Sequence, residues 1–156
     1  MSVKPVPEGF HSMTPYLGIQ GATEAIEFYR RAFGAVETFR LEGPGGTIGH
    51  AELRIGDSPV MLADACPEAQ IHSPAAIGGS SVGLHLFVDD VDTVFARAVA
   101  AGGQVLRPVQ DQFYGDRTGA IQDPFGHVWF IATHREDLTH DEIRQRAVAM
   151  FGQREQ

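Results

Sequence analysis

Apolar and polar residues alternate along the first patterned run of the chain, Ser12 to Ile19. Met13, Pro15, Leu17 and Ile19 share one side, and Thr14, Tyr16 and Gly18 the other. A period of two marks a half-buried strand. Pro15 has no amide hydrogen to donate, which places this strand at a sheet edge. The period then lengthens. Over Ala22 to Phe33, Ala25, Ile26, Tyr29 and Phe33 form an apolar stripe at helical spacing, and Gly34 ends the helix. Three more strands follow, at Val36–Leu41, Ile48–Ile55 and Val60–Ala63. Turns at Gly43-Pro44-Gly45-Gly46 and Gly56-Asp57-Ser58-Pro59 separate them.

The same order returns. Val82–Val88 alternates as a strand, and Asp89 or Asp90 can cap a helix over Val91–Ala101 that stops at Gly102-Gly103. Strands are predicted at Val105–Gln112, Arg117–Gln122 and Val128–Ala132, the last two joined by the turn Asp123-Pro124-Phe125-Gly126. Placing Gly34 on Gly103 gives an offset of 69 residues, which sets Thr14 on Gly83 and Tyr16 on His85. The chain therefore reads as a duplicated βαβββ unit. The predicted class is α+β: two repeated modules, about 12–65 and 82–134, whose curved mixed sheets surround a cleft within one domain spanning 1–156. Residues 66–81, rich in Ala, Pro, Gly and Ser, read as a linker or mobile flap. Thr139-His140-Asp141-Glu142 is a capping box that opens a C-terminal helix to about Phe151. Its apolar side, Ile143, Ala147 and Met150, is expected to pack on its own chain or on a partner subunit.

Composition narrows the possible partners. A net charge of −8, with 12 scattered Lys and Arg, argues against nucleic acid. No apolar run reaches the ~18–20 residues of a membrane span, and the first residues lack a signal-peptide core. The single cysteine, Cys66, permits no internal disulfide and fits a reducing, cytoplasmic setting.

The chemistry should lie on the sheet faces turned away from the helices. Leu17, Leu53, Ile55, Leu84 and Leu86 belong to the apolar faces; Thr14, Tyr16, His50, Glu52, Arg54, Gly83, His85 and Phe87 belong to the others. Glu52, flanked by Ala51 and Leu53, is a candidate proton-transfer group, or a structural acid paired with Arg54, Arg117 or His50. His50 and Glu52 share a face, and with His85 they could hold a divalent ion or form a polar pocket floor. Tyr16 and His85 could flank one ligand. Arg117, following Tyr114, could clamp an anion or brace its own hairpin against Asp116, Asp123 or Glu52.

The motifs FYRRAFG, VDDVD and DPFGH on paired βαβββ modules resemble the vicinal-oxygen-chelate superfamily, which includes glyoxalase, extradiol dioxygenase and bleomycin-resistance proteins. HAELRIGDSPVMLAD and FYGDRTGAIQDPFGHVWFIATH resemble its PhnB-like group. In metal-dependent members the resemblance places ligands on the first and last strand of each module. The local motifs map those positions to Thr14, Met61, Gly83 and Phe130, none of which carries an imidazole or a carboxylate. The resemblance therefore implies a small-molecule-binding protein without the usual metal centre and with no cofactor, sequestering an antibiotic or metabolite. The alternative is a lyase or isomerase using Glu52 with His50 or His85, or one divalent ion bound at those three residues. A homodimer is implied in either case.

Overall fold

The computed structural model describes residues 2–152. The chain runs β1 (Tyr16–Ile19), α1 (Ala22–Phe33), β2 (Val36–Glu42), β3 (Ile48–Ile55) and β4 (Ser58–Asp64). After a short connection come α2 (Pro74–Ile77), β5 (Gly83–Phe87), α3 (Val91–Ala100), β6 (Gln104–Asp111), β7 (Asp116–Gln122), β8 (Val128–His134) and α4 (His140–Phe151). Two four-stranded mixed sheets result, ordered β1-β4-β3-β2 and β5-β8-β7-β6. In each, the first strand is an edge and runs parallel to the last, and the other pairs are antiparallel. Tyr16 pairs with Met61 and His85 with Phe130, so the 69-residue offset of the sequence repeat holds strand against strand.

The first strand is shorter than its alternation predicts. Pairing begins at Tyr16, and Pro15 contributes only its carbonyl, which accepts from the Met61 amide at 2.9 Å. Thr14 therefore precedes the sheet, because a proline without an amide hydrogen stops the ladder there. Segment 66–81 is not irregular throughout. Cys66 and Ile71 form an isolated bridge around a 3-10 turn at Pro67–Ala69, and Ser73 caps the single turn of α2.

The helix ends follow the local signals, with one substitution of means. Gly34 takes the left-handed conformation at the end of α1, with φ 68°. Asp90 caps α3 through the Thr93 amide. The α1 N-terminus has no side-chain cap of its own. Asp64, at the end of β4, accepts instead from the amides of Gly21 and Ala22 and from Ile48. In the second module Thr133 on β8 accepts from Val91. Thus each last strand caps its module's helix, which locks helix to sheet.

One apolar core serves both modules. Leu17, Leu53 and Leu62 under α1 belong to the same buried cluster as Val91 of α3 and Ile121 and Ile131 beneath it. Leu84 and Leu86 are half-buried against it. The two helices lie against each other, so the modules are joined through their helix faces. Asp123 fastens the junction. It is 2% exposed and accepts from the Tyr29 hydroxyl at 2.5 Å and the Trp129 indole at 3.0 Å. Its other oxygen accepts from the Phe125 and His127 amides, which shapes the DPFG turn. Burial, and then the charge of Asp123, push the Tyr29 phenol well above its ordinary pKa, so it stays a donor.

The C-terminal helix begins at the predicted cap, with Thr139 accepting from the Glu142 amide. None of its residues is buried. It is held at its far end by Phe151 against Phe113 and by Arg146, which donates to the Phe113 carbonyl and to Glu136. Just before it, the His134 ring lies 2.7 Å from Asp116 and 2.7 Å from Asp137. The Asp116 hydrogen bond, then that of Asp137, raise the imidazole pKa. Its folded value exceeds its unfolded one. The contribution is therefore complete below about pH 6.5, the ordinary histidine value, and is lost as pH rises through the raised folded value. Thermal melts at a series of pH values are expected to show this loss between mildly acidic and mildly alkaline buffer. His134→Gln should remove that component; an unchanged profile in the variant would refute the assignment.

Candidate functional site

Each sheet turns one face to the helices and leaves the other open. Cross-strand register decides which side chains share the open face. On the first sheet Tyr16, Met61, Glu52 and Phe39 stand in one row, with His50 and Leu41 in the next. On the second sheet the matching row is His85, Phe130, Ala120 and Arg107, with Phe87 beyond.

The first open face carries a hydrogen-bonded chain. The Tyr16 hydroxyl lies 2.8 Å from His50 Nδ1, and His50 Nε2 lies 3.1 Å from Glu52 Oε1. An ionised carboxylate only accepts, so beside it the neutral His50 ring carries its proton on Nε2 and takes the Tyr16 hydroxyl proton at Nδ1. Burial, and then Glu52, raise the Tyr16 pKa, which keeps the phenol protonated. The Tyr16 and Phe39 rings both approach the His50 ring, with centroids 5.5 and 6.2 Å away. Of the possible partners for Glu52, the fold selects His50; Arg54 and Arg117 are not its ion-pair partners among the described residues.

Segment 66–73 closes over one end of this face. Gln70, Ile71 and His72 line a cavity of about 400 Å³ together with Tyr16 and Gly18. Gln70 holds a left-handed backbone with φ 60°, which costs about 1 kcal/mol or more outside glycine. A larger cavity, about 730 Å³, is elsewhere, between Pro74–Ser80 and the β7–β8 turn. Its lining has no ionisable side chain, so it lacks the chemistry of the open face.

The second open face is aromatic and cationic. His85 lies 4.7 Å from the Phe87 ring and 6.4 Å from Phe130. The Arg107 guanidinium sits 5.4 Å from the Phe130 centroid. The Phe130 ring covers Gly83: a β-carbon there would meet the ring at 2.3 Å.

The sequence-predicted residues are only partly assembled. Tyr16, His50, Glu52 and Met61 come together. His85 and Phe130 come together on the other sheet, and His85 also borders a small cavity with His11, Met13 and Trp129. No hydrogen bond, ion pair or ring contact among the described residues joins side chains of the two open faces. Thr14 is half-buried ahead of β1. Tyr114 packs edge-on against Phe113 near the C-terminal helix, away from both rows. Arg117 braces its hairpin through acids other than Asp116, Asp123 or Glu52. Its neighbour in register is Thr133, on the helix side of the sheet, and it bridges Asp92 and Asp111. The hairpin is braced by the two acids that α3 and β6 bring to it. Phe39 and Arg107 were missed because no local motif marks them; their places follow from the β2 and β6 registers, both of which contain irregularities.

The donor set does not suit the divalent centre of metal-dependent relatives. Of the mapped positions, Thr14 is off the sheet, Met61 offers a thioether, and the Phe130 ring fills the space over Gly83. Among the described residues no three His, Cys, Asp or Glu side chains are grouped to hold an ion. His50 and Glu52 are adjacent, while His85 stands on the other sheet.

Known proteins share this architecture. An uncharacterized protein of Mycobacterium tuberculosis is 42% identical over 136 residues, covering 85% of this chain and 80% of that protein. The structure of TioX from Micromonospora sp. ML1 is 29% identical with a TM-score of 0.61, covering 83% of this chain and all of that one. A PhnB protein from Bacillus cereus shares the fold at 21% identity and a TM-score of 0.61, covering 79% of this chain and 99% of that one. No helix among the described residues is long and apolar enough to cross a membrane. The family model described as Glyoxalase/Bleomycin resistance protein/Dioxygenase superfamily matches residues 15–131, and the chain belongs to that superfamily.

Proposed function

We propose that this protein binds a small organic molecule on the open sheet faces, without the metal centre of its catalytic relatives, and that two copies complete the cleft. The carrying observation is the exposure of large apolar side chains in both rows. Tyr16 is 43% exposed, Phe39 49%, Leu41 57% and Phe87 61%. Contiguous exposed apolar surface marks a binding or association site. Charge supports pairing of unlike faces, since Glu52 lies on one and Arg107 on the other. In this arrangement the first sheet of one copy faces the second sheet of its partner, and the ligand lies between them. Sequestration of a metabolite or antibiotic in the cytoplasm is the role this suits.

Sedimentation equilibrium at micromolar protein is expected to give a dimer, and Phe39→Glu is expected to weaken it at least tenfold by placing an unpaired charge in the interface. A monomer at those concentrations contradicts the shared cleft. Elemental analysis of protein purified without added metal should find no stoichiometric divalent ion. The Tyr16–His50–Glu52 chain favours a second reading, a lyase or isomerase that moves protons through Glu52. It predicts a turnover that Glu52→Gln abolishes while ligand binding persists.

A further inference from the structure

The first open face combines features that individually decide little but together select one ligand chemistry. Glu52 is partly buried, with 22% of its side chain exposed, and no Lys or Arg among the described residues lies within ion-pair distance. Its hydrogen-bond partner, His50, accepts the Tyr16 proton at Nδ1 when the neutral ring carries its own proton on Nε2. That commits the only hydroxyl hydrogen inward. What Tyr16 presents outward is an oxygen with free lone pairs. Phe39 and Tyr16 offer exposed ring faces on either side of His50, and Met61 adds a polarisable thioether between Tyr16 and Glu52. Beyond Tyr16 the Gln70–His72 segment walls one end of the site. The ensemble is an acceptor, a carboxylate with no Lys or Arg at ion-pair distance among the described residues, and two π faces.

We propose that this face is a recognition site for the protonated amine of an aromatic or arylalkyl amine, with Tyr16 and Glu52 as its specificity-determining residues. The ammonium donates to the Tyr16 oxygen and lies near the Glu52 charge. Its positive charge meets the Phe39 and Tyr16 rings. An anion at the same place faces Glu52 at low solvent exposure and meets no donor from Tyr16. The His50 link acts by position: it holds the Tyr16 hydrogen away from the ligand, so the site accepts rather than donates. This rests on the reading of the open face as a small-molecule site.

Three probes of nearly equal size test it: phenethylammonium, hydrocinnamate and phenethyl alcohol. Each is titrated into the full chain while the isotope-labelled Met61 methyl and His50 ring nitrogens are followed by NMR. Phenethylammonium is expected to bind roughly tenfold more tightly than the other two and to shift both reporters. The His50 signals should show Nε2 protonated and Nδ1 bare. Glu52→Gln is expected to erase the preference, and Tyr16→Phe to weaken the amine about fivefold while leaving hydrocinnamate, which has no proton to donate, unchanged. Neither side chain is part of the core, and unchanged melting of the two variants confirms that they fold. Equal binding of all three probes at Met61, or a preference that survives Glu52→Gln, overturns the amine assignment but leaves the small-molecule reading of the face intact. Failure of every probe to shift Met61 or His50 overturns both.

Discussion

Asp123→Ala is expected to destabilise the protein by about 3–5 kcal/mol, the scale for removing one partner from a buried charged network. One carboxylate serves four donors: the Tyr29 hydroxyl, the Trp129 indole and the amides of Phe125 and His127. Alanine leaves two side-chain donors facing an apolar core and unravels the turn that Asp123 itself closes. The loss has reach because Tyr29 is on α1 and Asp123 is 94 residues away, so the bond ties one module to the other. A chain of this size should melt roughly 10 °C lower. Combining Asp123→Ala with Tyr29→Phe gives a second reading. Phenylalanine removes one of the orphaned donors, so the double variant should lose less than the sum of the two. A melting point within about 2 °C of the parent for Asp123→Ala would show that the network is not structural.

Gly18→Ala is the second large effect, expected at about 3 kcal/mol, the upper end for a core substitution that adds volume. The reason is contact, not backbone torsion. An added β-carbon would stand 2.1 Å from the His72 carbonyl oxygen and 3.0 Å from the Ile71 side chain. The strand cannot retreat, because Gly18 pairs with Ala63 and its carbonyl accepts from His127 Nε2 at 3.0 Å. Segment 66–73 must therefore lift from the sheet. Limited proteolysis should then cut near Gln70, and ligand affinity should fall with the loss of the wall beside Tyr16. Gly49→Ala is the control. Its nearest neighbour would be 3.4 Å away, so it should stay within about 0.5 kcal/mol. Equal stability of the two variants would mean that the segment is already loose.

The two substitutions expose different parts of the design. Asp123 holds the modules together through their helix sides; Gly18 lets a connecting segment cover the opposite side of the first sheet. Stability and the candidate site are thus carried on opposite faces of the same strands. The open faces can change residues without dismantling the core, so one frame can carry different chemistries.

Alternation, helical stripes and turn residues were enough to predict the three long helices, most strand positions and the duplication, but not the single turn of α2. These are local signals: a period of two or of 3.6 is imposed by backbone geometry within each segment. The sequence also placed His50 and Glu52 on one face, because residues two apart on a strand must share it. What only the tertiary structure decided were the relations between segments. Pairing of β1 with β4 brought Tyr16 to His50, two residues 34 apart, and so completed the chain to Glu52. The second sheet carried His85 away from that group. Packing of α3 and β6 against β7 gave Arg117 to Asp92 and Asp111. Burial made Asp123 a junction between modules, although its motif reads only as a turn. In each case the deciding energy is a contact between groups far apart in the chain. No local pattern specifies such a contact, because it exists only once the two sheets have been brought onto one core.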